Sequence, residues 1–145
     1  MITKVRDSFN RQEFMSFLGA ELVASEEGMC EIRIPYNKSL TQQHGYFHAG
    51  VVGTLADNAA GYAAYSLMAE DSSVLTVEYK LNLLSPAEGD YLHCRSNVIK
   101  RGRTLSVCRS EVFGVTAKSE KLCAIAQVTL IELANTADND NKGKS

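Results

Sequence analysis

The hydrophobic positions change period several times along the chain, and each change marks a new predicted element. Between residues 5 and 18, apolar side chains recur at roughly helical spacing, and Gly19 follows as a stop. This predicts one N-terminal amphipathic helix whose apolar side carries Phe9, Phe14, Phe17 and Leu18. Residues 20–35 hold two short strand-like runs around a Glu-Glu-Gly turn, which predict a hairpin. Residues 37–47 are polar and are expected to form a surface loop.

The segment 49–69 carries the strongest signal, because Ala, Gly, Val and Leu dominate all of its faces and Asp57 is its only charged residue. A helix that is apolar all round is a buried helix, so we predict a central helix that needs cover on every side. Its length approaches the ~20 residues of a membrane span. Thr54, Asp57 and Asn58 make insertion into a bilayer costly, and no membrane partner is expected.

After this helix the pattern changes to the two-residue period of strands. In 75–83, Leu, Val and Tyr residues alternate with polar ones, and Thr76 falls on the polar face. Residues 85–90 form a predicted turn. Further strands, joined by tight connections as in an antiparallel meander, are predicted at 91–100, 104–116 and 121–133.

This order of elements indicates an α+β fold, in which a strongly curved antiparallel sheet wraps around one long central helix and an N-terminal helix precedes it. One sheet leaves part of the helix and the sheet edges open, so at least a homodimer is expected. Residues 134–145 have almost nothing to bury. We therefore expect a single domain over 1–133 and a disordered tail over 134–145.

The composition narrows the function. With 145 residues, 45% of them hydrophobic, the chain fits one globular domain. A net charge of −2 and a pI near 5.9 provide no positive field, so nucleic acid is not an expected partner. The four cysteines form no C-x-x-C pair, which indicates buried free thiols in a reducing compartment. The N-terminus enters charged residues without the apolar stretch of a secretory signal, and we expect a cytoplasmic protein.

Asp57 is the first candidate for chemistry, because a lone carboxylate in an apolar helix loses hydration without a cationic partner nearby in sequence. A structural role, as a cap or as the partner of a distant arginine, is the alternative. His48-Ala49-Gly50 stands where the loop becomes the helix, so the N–H groups of Ala49 and Gly50 are expected to lack intrahelical partners. Such amides suit an oxygen that gains negative charge, as a thioester carbonyl does during hydrolysis.

The spacing separates these two features. Asp57 lies eight residues beyond Ala49, which along a helix is ~12 Å and too far for both to act on one carbonyl. Two copies with these helices side by side and antiparallel bring Asp57 of one copy to the Ala49 amide of the other. We therefore expect two equivalent sites that require the dimer.

Other kinds of site have less support. His44 and His48 are four residues apart, but they lack the Glu of a zincin motif and a third ligand, so no metal is expected. Their simpler role is loop hydrogen bonding, with His48 shaping the start of the helix. The chain has no Gly-x-Ser-x-Gly elbow and no nucleotide-binding Gly motif. Arg101 and Arg103 either contact the phosphates of coenzyme A or belong to a solvated hairpin turn.

The segment from Gln42 to Asn58 resembles the hotdog thioesterases of the phenylacetate-degradation type. Their motif reads Asn or Gln, two residues, Gly, two residues, His-Gly-Gly, and then an Asp or Glu further along the helix. The residues of this chain in register with it are Gln42, Gly45, His48, Gly50 and Asp57. The similarity continues through the strand of Thr76 to the last strand. The resemblance implies a hotdog fold and acyl-CoA thioesterase activity.

The resemblance also implies a role for each matched residue. Asp57 corresponds to the catalytic carboxylate, as nucleophile or as general base on water, and the Ala49 amide polarises the thioester carbonyl. Gln42 helps to position the thioester or the water, and Thr76 assists near the carboxylate. Ala49 replaces the first Gly of His-Gly-Gly, which keeps the amide but not a glycine-only φ. The remaining candidates are His48 at the catalytic site and, for substrate binding, Gly50, Asn58, Arg101 and Arg103.

These observations favour hydrolysis of a small, medium-chain or aryl acyl-CoA by a homodimer or a dimer of dimers. No cofactor is expected beyond the coenzyme A of the substrate. Two alternatives stay open: a hotdog hydratase or dehydratase that acts on an enoyl or hydroxyacyl thioester, and a non-catalytic acyl-CoA-binding module. Candidates for lining an aryl pocket are Tyr46, Phe47, Tyr62 and Tyr65, although aromatic residues near a helix more often belong to the core.

Overall fold

The computed structural model describes residues 1–136 and confirms the predicted α+β architecture, a curved antiparallel sheet around one long helix. In chain order the elements are α1 (Thr3–Asn10), α2 (Glu13–Phe17), β1 (Glu21–Glu26), β2 (Met29–Pro35), a 3₁₀ turn (Lys38–Leu40), α3 (Ala49–Tyr65), β3 (Ser73–Leu83), β4 (Tyr91–Arg101), β5 (Leu105–Val115) and β6 (Glu120–Leu133). The tail predicted over 134–145 lies outside the described residues from 137 onward.

The strand order in the sheet is β1-β2-β4-β5-β6-β3. Strands β4, β5 and β6 form the predicted meander. Strand β3 pairs with β6 at the far edge and not with β4, the next strand in the chain. The reason is α3, which follows β2 and crosses the inner face of the sheet, so the chain emerges at the opposite edge. The two edge strands are therefore β1 and β3.

Helix α3 packs closely on the sheet because most residues of its contact side are small. Ala56, Ala59, Ala60 and Ala63 are completely buried. The buried side chains of the sheet that share this core include Ile32, Ile34, Leu92, Cys94, Cys108, Val112 and Val128. Methyl groups let the helix backbone approach the strands more closely than larger side chains do. All four cysteines are free and buried, in agreement with the prediction.

Within one chain the sheet covers α3 on one side only. A stripe of small and polar residues at helical spacing stays exposed or partly exposed: Gly50, Thr54, Asp57, Asn58 and Gly61. The apolar composition of this helix predicts that all of its sides are covered, and a single chain does not cover this one. In the described part of the chain, no helix combines the length and the apolar character that crossing a membrane requires.

The N-terminal helical segment is present, but as two short helices where one continuous helix was predicted over 5–18. The break falls at Gln12, which has an extended backbone with φ −79° and ψ 103°. A continuous helix cannot bury Phe9 and Met15 on one face, because six residues turn the side-chain direction by about 240°. The break lets both enter the core, and it leaves Phe14 and Phe17 58% and 81% exposed.

Edge strand β3 carries apolar side chains into solvent. Leu75, Val77, Tyr79 and Leu83 are between 47% and 58% exposed. One side of β3 has no neighbouring strand, so its backbone N–H and C=O groups are open to another chain. A long apolar edge of this kind is typical of a surface that pairs with a partner.

Gly114 lies where β5 closely approaches the turn before β4. A Cβ there would lie 2.1 Å from the backbone oxygen of Glu88, so the backbone has to move. We expect Gly114→Ala to lower the free energy of unfolding by about 1–3 kcal/mol, as overpacking does, measured by urea unfolding.

Gly61→Ala is the matched control for this prediction. A Cβ at Gly61 would meet only Leu130 Cδ2, at 3.6 Å, which is an ordinary contact. Alanine also favours a helix over glycine, so the free energy of unfolding should be unchanged or higher. Equal losses in the two variants would contradict the steric explanation.

Candidate active site

The start of α3 is held by backbone hydrogen bonds of the preceding loop. Phe47 N donates to Ala87 O at 2.8 Å, and His48 N donates to Leu40 O at 2.9 Å. His48 is the N-cap, with an extended backbone, and the helix begins at Ala49. The Ala49 amide donates to no residue within 1–136, and Ala49 is exposed, so this N–H is available to a ligand.

The prediction that both helix-start amides are unpaired is wrong for Gly50. Its N–H donates to Nδ1 of His48 at 2.8 Å, because the capping side chain folds back over the first turn. Only the Ala49 amide of the predicted pair is left for a substrate oxygen. Gly50 also makes room for the imidazole, since a Cβ there would lie 3.0 Å from His48 Nδ1. His48 therefore shapes the helix start.

Asp57 accepts a hydrogen bond from the Thr76 hydroxyl, with 2.6 Å between Oδ1 and Oγ1. Thr76 reaches the helix because the register of β3 shifts at a bulge between Thr76 and Glu78. A bulge changes which side chains face the core, so strict alternation fails across it. Tyr79, beyond the bulge, also faces α3, with its hydroxyl 3.2 Å from the Cβ position of Gly53.

The Asp57 carboxyl is half-buried, in an intermediate environment and not in a fully dry interior. Burial raises the pKa of Asp57 above its ordinary value, and the hydrogen bond from Thr76 partly offsets that rise. No cation among residues 1–136 contributes to this pKa. The alternative of a structural ion pair with an arginine therefore has no support in the described part of the chain.

Asp57 and Thr76 line a pocket of about 300 Å³, here named the acid pocket, whose walls come from α1, α3, β3 and β6. Sequence reasoning missed Gln12, which also lines it. The Gln12 side chain oxygen accepts a hydrogen bond from Asn58 Nδ2 at 2.8 Å. The break between α1 and α2 places Gln12 at the acid pocket, and the hydrophobic periodicity of the sequence does not predict that break. Tyr62 and Tyr65 form part of the same wall.

A second pocket of about 360 Å³, here named the amide pocket, lies at the start of α3. Gln42 and Ala49 line it together with Tyr46 and residues 83–87. Gln42 belongs to a tight turn in which Gly45 N donates to Gln42 O at 3.0 Å. Gly45 has a φ of 86°, a conformation that favours glycine. The Gln42 side-chain oxygen accepts a hydrogen bond from His44 N within this turn, and Gln42 lines the same pocket as the free amide.

The two pockets share no lining residue within one chain. The eight residues between Ala49 and Asp57 amount to ~12 Å along α3, as the sequence implies. Asp57, Thr76 and Asn58 therefore lie at one pocket, and Gln42 and Ala49 at the other. A single chain does not bring all the predicted catalytic residues together.

The remaining candidates lie away from both pockets. Arg101 ends β4 and Arg103 lies in the following turn, both exposed, and their contact with coenzyme A stays a prediction. Among residues 1–136, no group of three His, Cys, Asp or Glu side chains is arranged to hold a metal. A larger cavity, of about 490 Å³, lies on the sheet between β3, β5 and β6, and it contains neither Asp57 nor Ala49.

Comparison with known sequences identifies relatives over most of this chain. A family model described as the thioesterase superfamily matches residues 44–129, which is more than half of the chain. The 1,4-dihydroxy-2-naphthoyl-CoA hydrolase of Listeria monocytogenes is 26% identical over 113 residues. That match covers 78% of this chain and 89% of the Listeria protein.

Solved structures agree with this result. A thioesterase family protein from Silicibacter pomeroyi is 47% identical, with a TM-score of 0.89 over 90% of this chain and 96% of its own. The PaaI protein from the phenylacetic acid degradation operon of E. coli is 20% identical, with a TM-score of 0.80 over 91% of this chain and 92% of its own. The latter similarity is one of fold, and it confirms the hotdog arrangement predicted from the motif.

The raised pKa of Asp57 predicts a pH dependence of stability. An acid with a higher pKa in the folded than in the unfolded state makes the folded protein bind more protons between the two values, so stability falls as pH rises through that window. Asp57→Asn removes this loss and can still accept the bond from Thr76. We expect the variant to match the wild type below about pH 4 and to unfold at a higher temperature at pH 7.

Thermal unfolding of both proteins between pH 3.5 and 7 measures this difference. Asp7→Asn, a change at an exposed carboxylate, is the control. Its unfolding temperature relative to that of the wild type should not rise with pH. An Asp57→Asn variant that is less stable than the wild type at pH 7 would argue against the desolvated carboxylate.

Proposed function

Because this chain belongs to the thioesterase superfamily and is a thioester hydrolase, we propose that it hydrolyses acyl-CoA thioesters in a site completed by two copies of the chain. The proposal rests on the separation of two reactive groups along α3. The Asp57 carboxylate lies in the acid pocket, and the unpaired Ala49 amide lies in the amide pocket. The carboxylate attacks the thioester or activates water, and the amide stabilises the carbonyl oxygen as it gains negative charge.

Asp57 supplies the reacting group. The Thr76 hydroxyl occupies Oδ1, which leaves Oδ2 for the reaction. Oδ2 either attacks the carbonyl carbon to give an anhydride that water then hydrolyses, or takes a proton from the water that attacks. Burial raises the pKa of Asp57 and so makes its ionised form a better base. In both routes the C–S bond breaks and coenzyme A leaves as a thiolate.

Ala49 supplies the hydrogen bond to the oxygen of the reacting carbonyl. Attack on the carbon moves negative charge onto that oxygen, and an N–H at a helix start stabilises it. The amide is preorganised, because the cap at His48 and the loop contacts hold the helix start before substrate binds. Gln42 lines the same pocket and orients the thioester or the attacking water.

An antiparallel pair of α3 helices unites the two halves. Residue 57 of one helix meets residue 49 of the other when the twofold axis passes level with Gly53, which lies midway between them in sequence. The free edge of β3 and its exposed apolar side chains supply the surface that the second copy covers. This pairing gives two equivalent sites for each dimer, and a dimer of dimers repeats them.

The acid pocket suits the acyl part of the substrate. The carbonyl lies beside Asp57, so the acyl group and coenzyme A extend in opposite directions. A pocket of about 300 Å³ is too small for the nucleotide, which needs access to solvent and the positive charge of side chains such as Arg101 and Arg103. Walls of Tyr62, Tyr65 and Leu130 suit a short, medium-chain or aryl acyl group. The chemistry needs no cofactor beyond the coenzyme A of the substrate.

The free and buried cysteines support a location in the reducing cytoplasm. Acyl-CoA esters are substrates that a cytoplasmic enzyme meets directly. The Listeria relative, a naphthoyl-CoA hydrolase by name, supports an aryl acyl-CoA among the substrates.

Two point variants test the division of the site between copies. Asp57→Asn removes the reacting carboxylate. Ala49→Pro removes the amide N–H at the first helical position, where proline is tolerated, and His48 already has the extended backbone that precedes proline (φ −61°, ψ 140°). We expect each variant alone to lose about 10²-fold or more in kcat, measured by thiol release from a panel of aliphatic and aryl acyl-CoAs.

Mixing the two variants gives the decisive measurement. A dimer with one subunit of each kind has one site with both defects and one site with neither. Co-expression with two different tags should therefore restore about a quarter of the wild-type activity when the subunits associate at random. No restoration in a purified mixed dimer would refute a site shared between copies, and full turnover by Asp57→Asn alone would refute the proposed chemistry.

Gly61→Val tests the placement of the acyl group. Gly61 lines the acid pocket, and a Cβ there lies in ordinary contact with Leu130 Cδ2, so the fold tolerates a side chain. The valine narrows the pocket. We expect kcat/KM to fall about tenfold or more for octanoyl-CoA or phenylacetyl-CoA and to change little for acetyl-CoA. An equal fall for all three substrates would place the acyl group elsewhere.

A further inference from the structure

Small residues form most of the contact side of α3. Its completely buried residues there are Ala56, Ala59, Ala60 and Ala63, together with one larger side chain, Leu55. Methyl groups interlock only shallowly with a facing surface, whereas long side chains set a helix in deep grooves. Apolar burial is also non-directional, so burial alone does not define an axial position. Hydrogen bonds from the sheet to the helix backbone add a directional constraint on that position.

Two side chains of β5 supply such contacts to the helix backbone. Ser110 Oγ donates to the carbonyl oxygen of Ala56 at 2.7 Å. Cys108 Sγ lies 3.5 Å from the carbonyl oxygen of Ala60, one helical turn further along. Burial raises the pKa of Cys108 to about 12, so the thiol keeps its proton and can donate. Residues two apart on a strand thus meet carbonyls four apart on the helix.

The Ser110 contact is the stronger of the two. Ser110 is completely buried, and its Oγ also lies 3.0 Å from Oγ of Ser96, which is buried as well on the neighbouring strand. A hydroxyl has one proton, so Ser110 donates it to the nearer acceptor, the Ala56 carbonyl, while Ser96 Oγ donates to the carbonyl oxygen of Arg109 at 3.2 Å. The proton of the buried Ser110 hydroxyl is therefore directed at the helix backbone. The helix carbonyl it meets belongs to the residue directly before Asp57.

We propose that Ser110 is a positioning residue of the thioesterase reaction, whose hydrogen bond to the Ala56 carbonyl sets the axial position of α3. This inference rests on the proposed function. Asp57 meets Thr76 across the gap between α3 and β3, and a shift of the helix lengthens that hydrogen bond. The same helix carries Ala49 into the other site of the dimer. One displacement of α3 therefore disturbs the acid of one site and the amide of the other.

Ser110→Ala is the test, assayed with the acyl-CoA that the wild type hydrolyses fastest in the panel. We expect kcat to fall about tenfold or more, since small misplacements of reacting groups are costly, and KM to change less than about twofold. The acid limb of the pH profile of kcat/KM should move to higher pH, because a weaker bond from Thr76 no longer lowers the pKa of Asp57.

Val112→Ala is the control for a purely structural effect. Val112 is completely buried on the same strand, two residues beyond Ser110. Its truncation removes packing, and no side-chain hydrogen bond to α3 depends on it. We expect a melting temperature at least as low as that of Ser110→Ala, with kcat and the acid limb at wild-type values. A Val112→Ala variant with the same loss of kcat and the same shift of the acid limb overturns the proposal.

Ser110→Cys is a second variant that keeps the inference testable if Ser110→Ala does not fold. A thiol of similar size is a weaker donor, so its kcat should lie below that of the wild type with KM unchanged. Wild-type kcat in Ser110→Ala, or in Ser110→Cys where the alanine variant does not fold, overturns the proposal. If Asp57→Asn abolishes turnover while Ser110→Ala keeps it, only this inference fails. If Asp57→Asn keeps turnover, the proposed function itself fails.

Discussion

The close approach of α3 to the sheet is the constraint on which the other features of this protein depend. Alanines on the contact side bring the helix backbone near enough for a strand hydroxyl to reach the carbonyl of Ala56. The same approach places Asp57 within hydrogen-bonding distance of Thr76 on the edge strand. It also uses one side of the helix only, and it leaves the opposite stripe without cover from its own chain.

The proposed division of the site between two copies follows from that uncovered stripe. A helix advances 1.5 Å per residue, so two groups eight residues apart on α3 cannot serve one carbonyl. A second helix in the opposite direction brings the two groups together in the proposed dimer. The open edge of β3, with apolar side chains such as Leu75 and Leu83 in solvent, is consistent with that arrangement. In the proposed dimer, oligomerisation and catalysis depend on the same geometry.

Much of the fold could be predicted from periodicity, because the change from helical to two-residue spacing marks the boundaries of the long elements. The candidate site was harder to predict from the sequence. The bulge in β3 turns Thr76 toward Asp57, although alternation placed it on the polar face. The break at Gln12 depends on burying Met15, which is a demand of the core and not of the local pattern. The cap by His48 removes the Gly50 amide from the predicted pair of donors.

The amino-acid sequence by itself determined that a helix rich in small residues needs cover from other parts of the structure. It also determined that this helix carries one carboxylate, and that the amides of the helix start lie about eight residues before that carboxylate. These properties are local, because they depend on residue type and on spacing along one helix. The tertiary structure decided which amide stays free, which hydroxyl meets Asp57 and which residues wall its pocket. Those outcomes depend on contacts between residues far apart in the chain, such as Gln12 with Asn58 and Ser110 with Ala56, which no local pattern encodes.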